Sequence, residues 1–363
     1  MAESQTDAKL INLALQGGGS HGAFSWGVLD RLLEDPRVEI EAITGASAGA
    51  MNAVALAAGY ADGDRDEARA ALRAFWDGVL VEARTSPLRR NPIESALGGW
   101  NLDASPAYVM FDLVTRIASP YDFNPFNLNP LKELVVQLVD FDRVRKSKVK
   151  VFISATNVET GRAEVWEKKE LTADHVMASA CLPWLFQAVE IDGVPYWDGG
   201  FTGNPALWPL FEHCQTDDVV LVQINPIKRP GAPTTARDII NRVNEITFNS
   251  SLLRDLRAVD FVTRLIEAGR LEGTGYRRML IHAIGDEKAL AELGASSKFN
   301  TEPDFIDMLF NKGREAAENW LRTSFRHVGV RSTVSVRKLF QGEDDSLDGA
   351  QLKPPRRKPK AAE

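Results

Sequence analysis

The sequence has few of the residues that staple a fold or bind a metal. Among 363 residues there are two cysteines, Cys181 and Cys214, and five histidines. Two cysteines cannot build a disulfide framework, and neither falls in a C-x-x-C or Cys/His metal spacing. We read both as structural thiols in a reducing compartment and expect no metal site and no cofactor. Positive charge is also short: 43 Lys and Arg against 50 Asp and Glu leave a net charge of −7. That excludes general nucleic-acid binding, because phosphate contacts need clustered Lys and Arg. Long apolar runs are missing too. None approaches the roughly 20 residues of a membrane-spanning helix, and the opening MAESQTDAKL has no apolar signal-peptide core. The expected location is the cytoplasm, with a peripheral encounter at a membrane or lipid-granule surface left open. The sequence is silent on oligomeric state.

What is present is enough apolar residue, 44% of the chain, for one large domain or two of ordinary size. Residues 11–15 read as a buried strand and 23–35 as a helix with Phe24, Val28, Leu29, Leu32 and Leu33 on one face. A second strand (38–45), a small-residue helix (47–60) and a third helix (64–82) follow. This β-α-β-α rhythm points to a mostly parallel sheet covered by helices. Residues 85–130, rich in aromatics and proline, read as largely irregular structure over a core. Further strands are expected at 149–156, 162–167, 218–226 and 278–284. A hairpin is expected at 187–200, turning at Asp192-Gly193. Helices are expected at 171–180, 235–268 and 303–326. We divide the chain into a flexible 1–10, a catalytic unit 11–209, a continuation 210–340 of the same globule, and a disordered charged tail 341–363.

The stretch INLALQGGGSHGAFSWGVLD (11–30) satisfies G-x-G-x-x-G with Gly17, Gly19 and Gly22, the pattern of a dinucleotide-binding turn. That reading requires an acid at the end of the second strand. Glu39 and Glu41 fall inside that strand, and its end is occupied by Gly45-Ala46-Ser47-Ala48-Gly49. G-x-S-x-G between a strand and a helix thrusts a serine out of the fold on a sharp turn, and its small neighbours let strand and helix close up. It also puts Ser47 at a helix head, where free N–H groups favour negative charge. An ester-cleaving serine needs N–H donors for the oxyanion. Gly17, Gly18 and Gly19, with the amide of Ala48, could supply them. For the base, His213, His282 and His327 follow in the order a triad would need, and none has a triad-type loop. Asp198, in YWDGGFTGNP, is the strongest acid candidate.

G-G-G-x-x-G, then G-x-S-x-G one β-α unit later, then D-G-G, with ASACLPWLFQAVEIDGVPYWDGG leading into the aspartate, resembles the patatin-like phospholipase family from about Ile11 to Pro209. His21 stands where that family usually has Arg or Lys, and Gln187 where a proline is common. The resemblance implies a three-layer α/β/α fold with C-terminal helices packed on it. It further implies a Ser47–Asp198 dyad, an oxyanion loop at Gly17–Gly19, and hydrolysis of acyl esters in lipids with no histidine, metal or cofactor. Phospholipid, acylglycerol, thioester and polyester substrates all stay open. Two other classes stay open with it: an NAD(P)-dependent oxidoreductase using the glycine turn, and a non-catalytic lipid-binding protein.

Overall fold

The structure is a computed structural model that describes residues 8–96 and 99–342. Eight strands form one mixed sheet: β1 (Lys9–Leu15), β2 (Val38–Gly45), β3 (Lys150–Asn157), β4 (Ala163–Glu167), β5 (Val189–Ile191), β6 (Val194–Asp198), β7 (Asp218–Val222) and β8 (Leu280–Ile284). Their order is β5-β6-β3-β2-β1-β7-β8, with β4 paired to β3. The run β3-β2-β1-β7-β8 is parallel, and β4, β5 and β6 pair antiparallel.

Side chains along a strand alternate between its two faces, and here both faces are buried. Ile11, Leu13 and Leu15 of β1, Ile43 of β2 and Val220 and Val222 of β7 enter one core. Ala14, Ala42, Val219 and Leu221 enter a second core on the opposite face. Helices α1 (Gly22–Glu34), α2 (Ala48–Gly59), α3 (Arg65–Glu82) and the helix Pro303–Thr323 contribute to the first core. The helices Trp208–His213 and Ala236–Glu267 contribute to the second. The result is three α/β/α layers. The C-terminal part is built into them: β7 and β8 extend the sheet, and Pro303–Thr323 lies against α1. There a side chain at Gly27 would strike the carbonyl of Phe310, and one at Gly313 that of Phe24.

Residues 85–130 differ from the irregular structure expected of them. They contain the helices Pro92–Ala96, Pro106–Ile117 and Pro120–Phe123, and a further helix, Pro130–Leu138, follows. Four of the prolines counted as breakers sit at a helix's first position, where the missing N–H has no intrahelical partner to lose and the fixed φ already suits the helix. Lys9 and Leu10, within the expected flexible 1–10, belong to β1, and residues 1–7 lie outside the described residues. The hairpin turn lies where expected, with Asp192 at φ 51° and Gly193 at φ 79°. The expected tail lies, from residue 343 on, outside the described residues.

Candidate active site

The sheet brings two strand ends together. Gly45 closes β2 opposite Ile153 of β3. Asp198 closes β6 opposite Ala155 of the same strand. Because β4 takes the other edge of β3 along Phe152–Thr156, β2 and β6 share one edge and run toward each other along it. Ser47, just beyond the end of β2, and Asp198, the last residue of β6, must therefore converge.

Ser47 has φ 53° and ψ −124°, a conformation uncommon for a residue with a side chain and concentrated at functional turns. Its amide donates to the Ser179 carbonyl at 3.1 Å and to Ser179 Oγ at 2.9 Å, which fixes the turn. Close packing forces the small neighbours. A Cβ on Gly45 would lie 2.7 Å from the Gly49 carbonyl, and one on Gly49 would lie 2.4 Å from the Leu15 carbonyl oxygen.

Asp198 is only 2% exposed. Its amide donates to the Cys181 carbonyl at 2.8 Å, and its Oδ1 accepts the Gly200 amide at 2.7 Å. The Ser47 hydroxyl lies near enough to act on the carboxylate's titration, favouring its charged form. Burial pushes its pKa up from 3.8 to about 7. The hydrogen bond from Gly200, the neighbouring Ser47 hydroxyl and the charge of Lys298 pull the other way. A carboxylate so placed titrates near neutral pH, as a general base should.

Both groups open onto a cavity of about 310 Å³. The glycine turn forms part of its wall with Leu182 and Trp184. Tyr108, Phe111 and Thr115 come from the helix Pro106–Ile117, and Ile240, Asn244 and Phe248 from the helix Ala236–Glu267. Tyr108 and Phe111 thus wall the cavity, while Trp100, from the same aromatic segment, packs on Phe305.

The three glycines divide. The amide of Gly17 donates to Asn204 Oδ1 at 2.6 Å, so it is engaged within the fold and does not match the free donor expected of it. Among the described residues, no acceptor meets the amides of Gly18, Gly19 or Ala48. Ala48 is the first residue of α2, where an N–H has no intrahelical partner.

The histidines expected as triad candidates are elsewhere. His282 is buried between Asp218 (2.8 Å) and Thr333 (3.0 Å). His213 stacks on Phe152, and His327 lies beside Arg326 and Arg331. None lines the cavity. His21 is buried against Ser297 at 2.8 Å. Burial, then the charges of Lys298 and Arg229, lower its pKa to about 3, so it is neutral. Burial raises both thiols, Cys181 and Cys214, to about 12, which keeps them protonated and unreactive. Of the two acids in β2, Glu41 accepts from Lys150 and from the amides of Gln215 and Thr216, and Glu39 is exposed within the strand. Among the described residues, no group of three potential metal ligands is present, and no helix is long and apolar enough to cross a membrane.

Several residues that shape the site went unnoticed in the sequence. Gln16 Oε1 accepts the amides of Ile224 and Asn225 at 2.9 and 3.0 Å. Asn225 Nδ2 donates to the Gly17 carbonyl at 2.7 Å, and Lys298 Nζ donates to Asn225 Oδ1 at 2.8 Å. Gln16 and Asn204 adjoin recognised motifs and could have been suspected. Lys298, in ASSKFN, carries no such signal.

No curated protein matches the chain. Among solved structures, the crystal structure of VipD from Legionella pneumophila is similar with a TM-score of 0.39 and 16% identity, over 87% of this chain and 67% of that one. A family model described as patatin-like phospholipase matches residues 13–211, more than half of the chain. The chain therefore belongs to the patatin-like phospholipase family, whose members are in general lipid acyl hydrolases.

Proposed function

We propose that this protein hydrolyses carboxylic esters of lipid acyl chains through a covalent acyl-serine at Ser47, with Asp198 as the base. One observation carries the reading: Ser47, on a strained turn, and the buried carboxylate of Asp198 line one cavity where nearby backbone amides are unclaimed. Ser47 Oγ attacks the ester carbonyl as Asp198 takes its proton. The amides of Gly18, Gly19 and Ala48 stabilise the oxyanion, each worth about 2.7–4 kcal/mol by analogy with measured donors. The alcohol leaves with the proton from Asp198. Asp198 then activates a water that releases the fatty acid and restores the hydroxyl.

The cavity's apolar side chains suit an acyl chain, and its surroundings suit a lipid surface. The helix Pro106–Ile117 exposes Met110, Leu113 and Ile117 next to the residues that wall the cavity. The helix Ala236–Glu267 does the same with Ile239, Val243 and Ile246. Contiguous exposed apolar area of this kind marks an interaction face. The dinucleotide reading lacks support, since Gly17 is bonded to Asn204 and Glu41 is engaged elsewhere. The test is fatty-acid release from a panel of phospholipids, acylglycerols and acyl thioesters, wild type against Ser47→Ala. Release that requires Ser47 supports the proposal; lipid binding without release from any of them supports the non-catalytic alternative.

A further inference from the structure

β1 and β7 are parallel neighbours, and Leu15 lies opposite Val222 at their ends. The two chains continue side by side beyond the sheet, which brings Asn225 against the glycine turn. Gln16 Oε1 accepts the Asn225 backbone amide at 3.0 Å. Asn225 Nδ2 donates to the Gly17 carbonyl at 2.7 Å, and Lys298 Nζ donates to Asn225 Oδ1 at 2.8 Å. A carbonyl can only accept and an ammonium can only donate. These two partners therefore admit one orientation of the Asn225 side-chain amide.

That orientation carries over to the next peptide. A trans peptide unit is planar, so the Gly17 carbonyl and the Gly18 N–H point in opposite directions. Gly17 and Gly18 line the cavity, whereas Asn225 is buried and does not. The carbonyl is thus drawn away from the cavity, toward Asn225, and the Gly18 N–H is turned to the cavity side. The nucleophile is close by: a Cβ on Gly17 would stand 2.7 Å from the Cβ of Ser47. The other polar group of Gly17 is fixed as well, since its N–H is held by Asn204 at 2.6 Å. The following peptide is fixed within the turn itself, where the Gly18 carbonyl accepts the His21 amide at 3.2 Å.

We propose that Asn225 is a positioning residue for the hydrolysis: by holding the Gly17 carbonyl away from the cavity, it aims the Gly18 N–H at the oxyanion of the tetrahedral intermediate. The inference rests on the Ser47–Asp198 reading above. It adds a residue outside every recognised motif, one that acts through the Gly17–Gly18 peptide and not on the substrate.

The experiment compares wild type with Asn225→Asp and Asn225→Leu on a soluble short-chain ester. Both remove the donor to Gly17 at nearly unchanged size, and Asp keeps an acceptor for Lys298. An oxyanion donor acts in the transition state and not on the bound ester. In both variants kcat should therefore fall about 100-fold while KM stays within about threefold of wild type. Two inhibitors give a second readout. A trifluoromethyl ketone takes Ser47 Oγ onto its carbonyl carbon, the hydroxyl proton passes to Asp198, and the ketone oxygen becomes an oxyanion. The matching fluoroalkane without the carbonyl only fills the cavity. The variants should bind the ketone about 100-fold more weakly and the fluoroalkane as wild type does. A kcat near wild type, or a loss in which KM and both affinities worsen together, means that Asn225 only packs the turn and overturns the inference. If neither variant folds, glycine-selective 15N spectra of the wild type decide. The Gly18 amide proton must move downfield when the ketone binds, and an unmoved resonance overturns the inference. Ser47→Ala turning over at the native rate is a different result: it removes the dyad, and the inference with it.

Discussion

A methyl group on the Cα of Gly17 would stand 2.7 Å from the Cβ of Ser47 and 2.8 Å from the carbonyl oxygen of Ala46. Neither obstacle is the free end of a flexible side chain. Gly17→Ala must therefore displace either the glycine turn or the serine turn. Overpacking of this kind costs about 1–3 kcal/mol, and here the displacement falls on the reacting group. We expect kcat/KM on a soluble ester to drop by at least ~100-fold, with a lower Tm. Near-native turnover in the variant would mean that the two turns are not held against each other.

Activity should titrate with Asp198. Its pKa of about 7 predicts a kcat that rises with pH through that value and then levels. A limb near pH 4 would show that the base is not in the desolvated surroundings described.

The same burial has a cost in stability. Asp198 has a pKa of about 7 when folded against 3.8 as its ordinary value. Between those values the native state keeps a proton that the unfolded chain has released, so this residue's contribution falls as pH rises from about 4 to 7. Asp198→Asn removes the titration. It should abolish turnover yet melt about 1–3 °C above wild type at pH 8, with the difference shrinking toward pH 4. Calorimetry at both pH values checks this. A variant that melts well below wild type at pH 8 would contradict it.

His282 provides a control for the triad alternative. Its Nε2 lies 2.8 Å from Asp218 Oδ1, which also accepts the amide of Gly329 at 2.8 Å. Removing the ring strands a buried carboxylate, at a cost of about 3 kcal/mol. His282→Ala should lower Tm by about 5 °C while kcat/KM at 25 °C stays within about twofold of wild type.

The exposed apolar face can be tested apart from the chemistry. Ile117 is 78% exposed and Met110 60% exposed, so Asp at either position leaves the core intact. Both variants should hydrolyse a soluble short-chain ester normally and lose about tenfold on vesicles or emulsions of long-chain substrate. Equal rates on dispersed lipid would remove the role assigned to this face.

The sheet was legible because strand burial is local: β1 and β7 read directly as apolar runs, and β2 as the strand that leads into the serine turn. Ser47 was legible because the turn that holds it constrains its neighbours to Gly and Ala. Asp198 was less so, since Asp-Gly is a common turn and its place on the same cavity as Ser47 depends on two strands sharing one edge of β3. The helix Pro106–Ile117 was missed because a proline at a helix start was read as a breaker. Long-range partners were invisible for a different reason. Asn204 and Asn225 hold Gly17, and Lys298 holds Asn225, across large sequence separations, and nothing in a linear pattern marks which buried polar residue meets which loop.

The most direct test of the central claim is the site at which a fluorophosphonate attaches. Intact-mass measurement and peptide mapping should find one adduct, on Ser47, absent from Ser47→Ala and forming at least ~100-fold more slowly in Asp198→Asn. An adduct on another residue, or ester turnover that continues undiminished in Ser47→Ala, would contradict it.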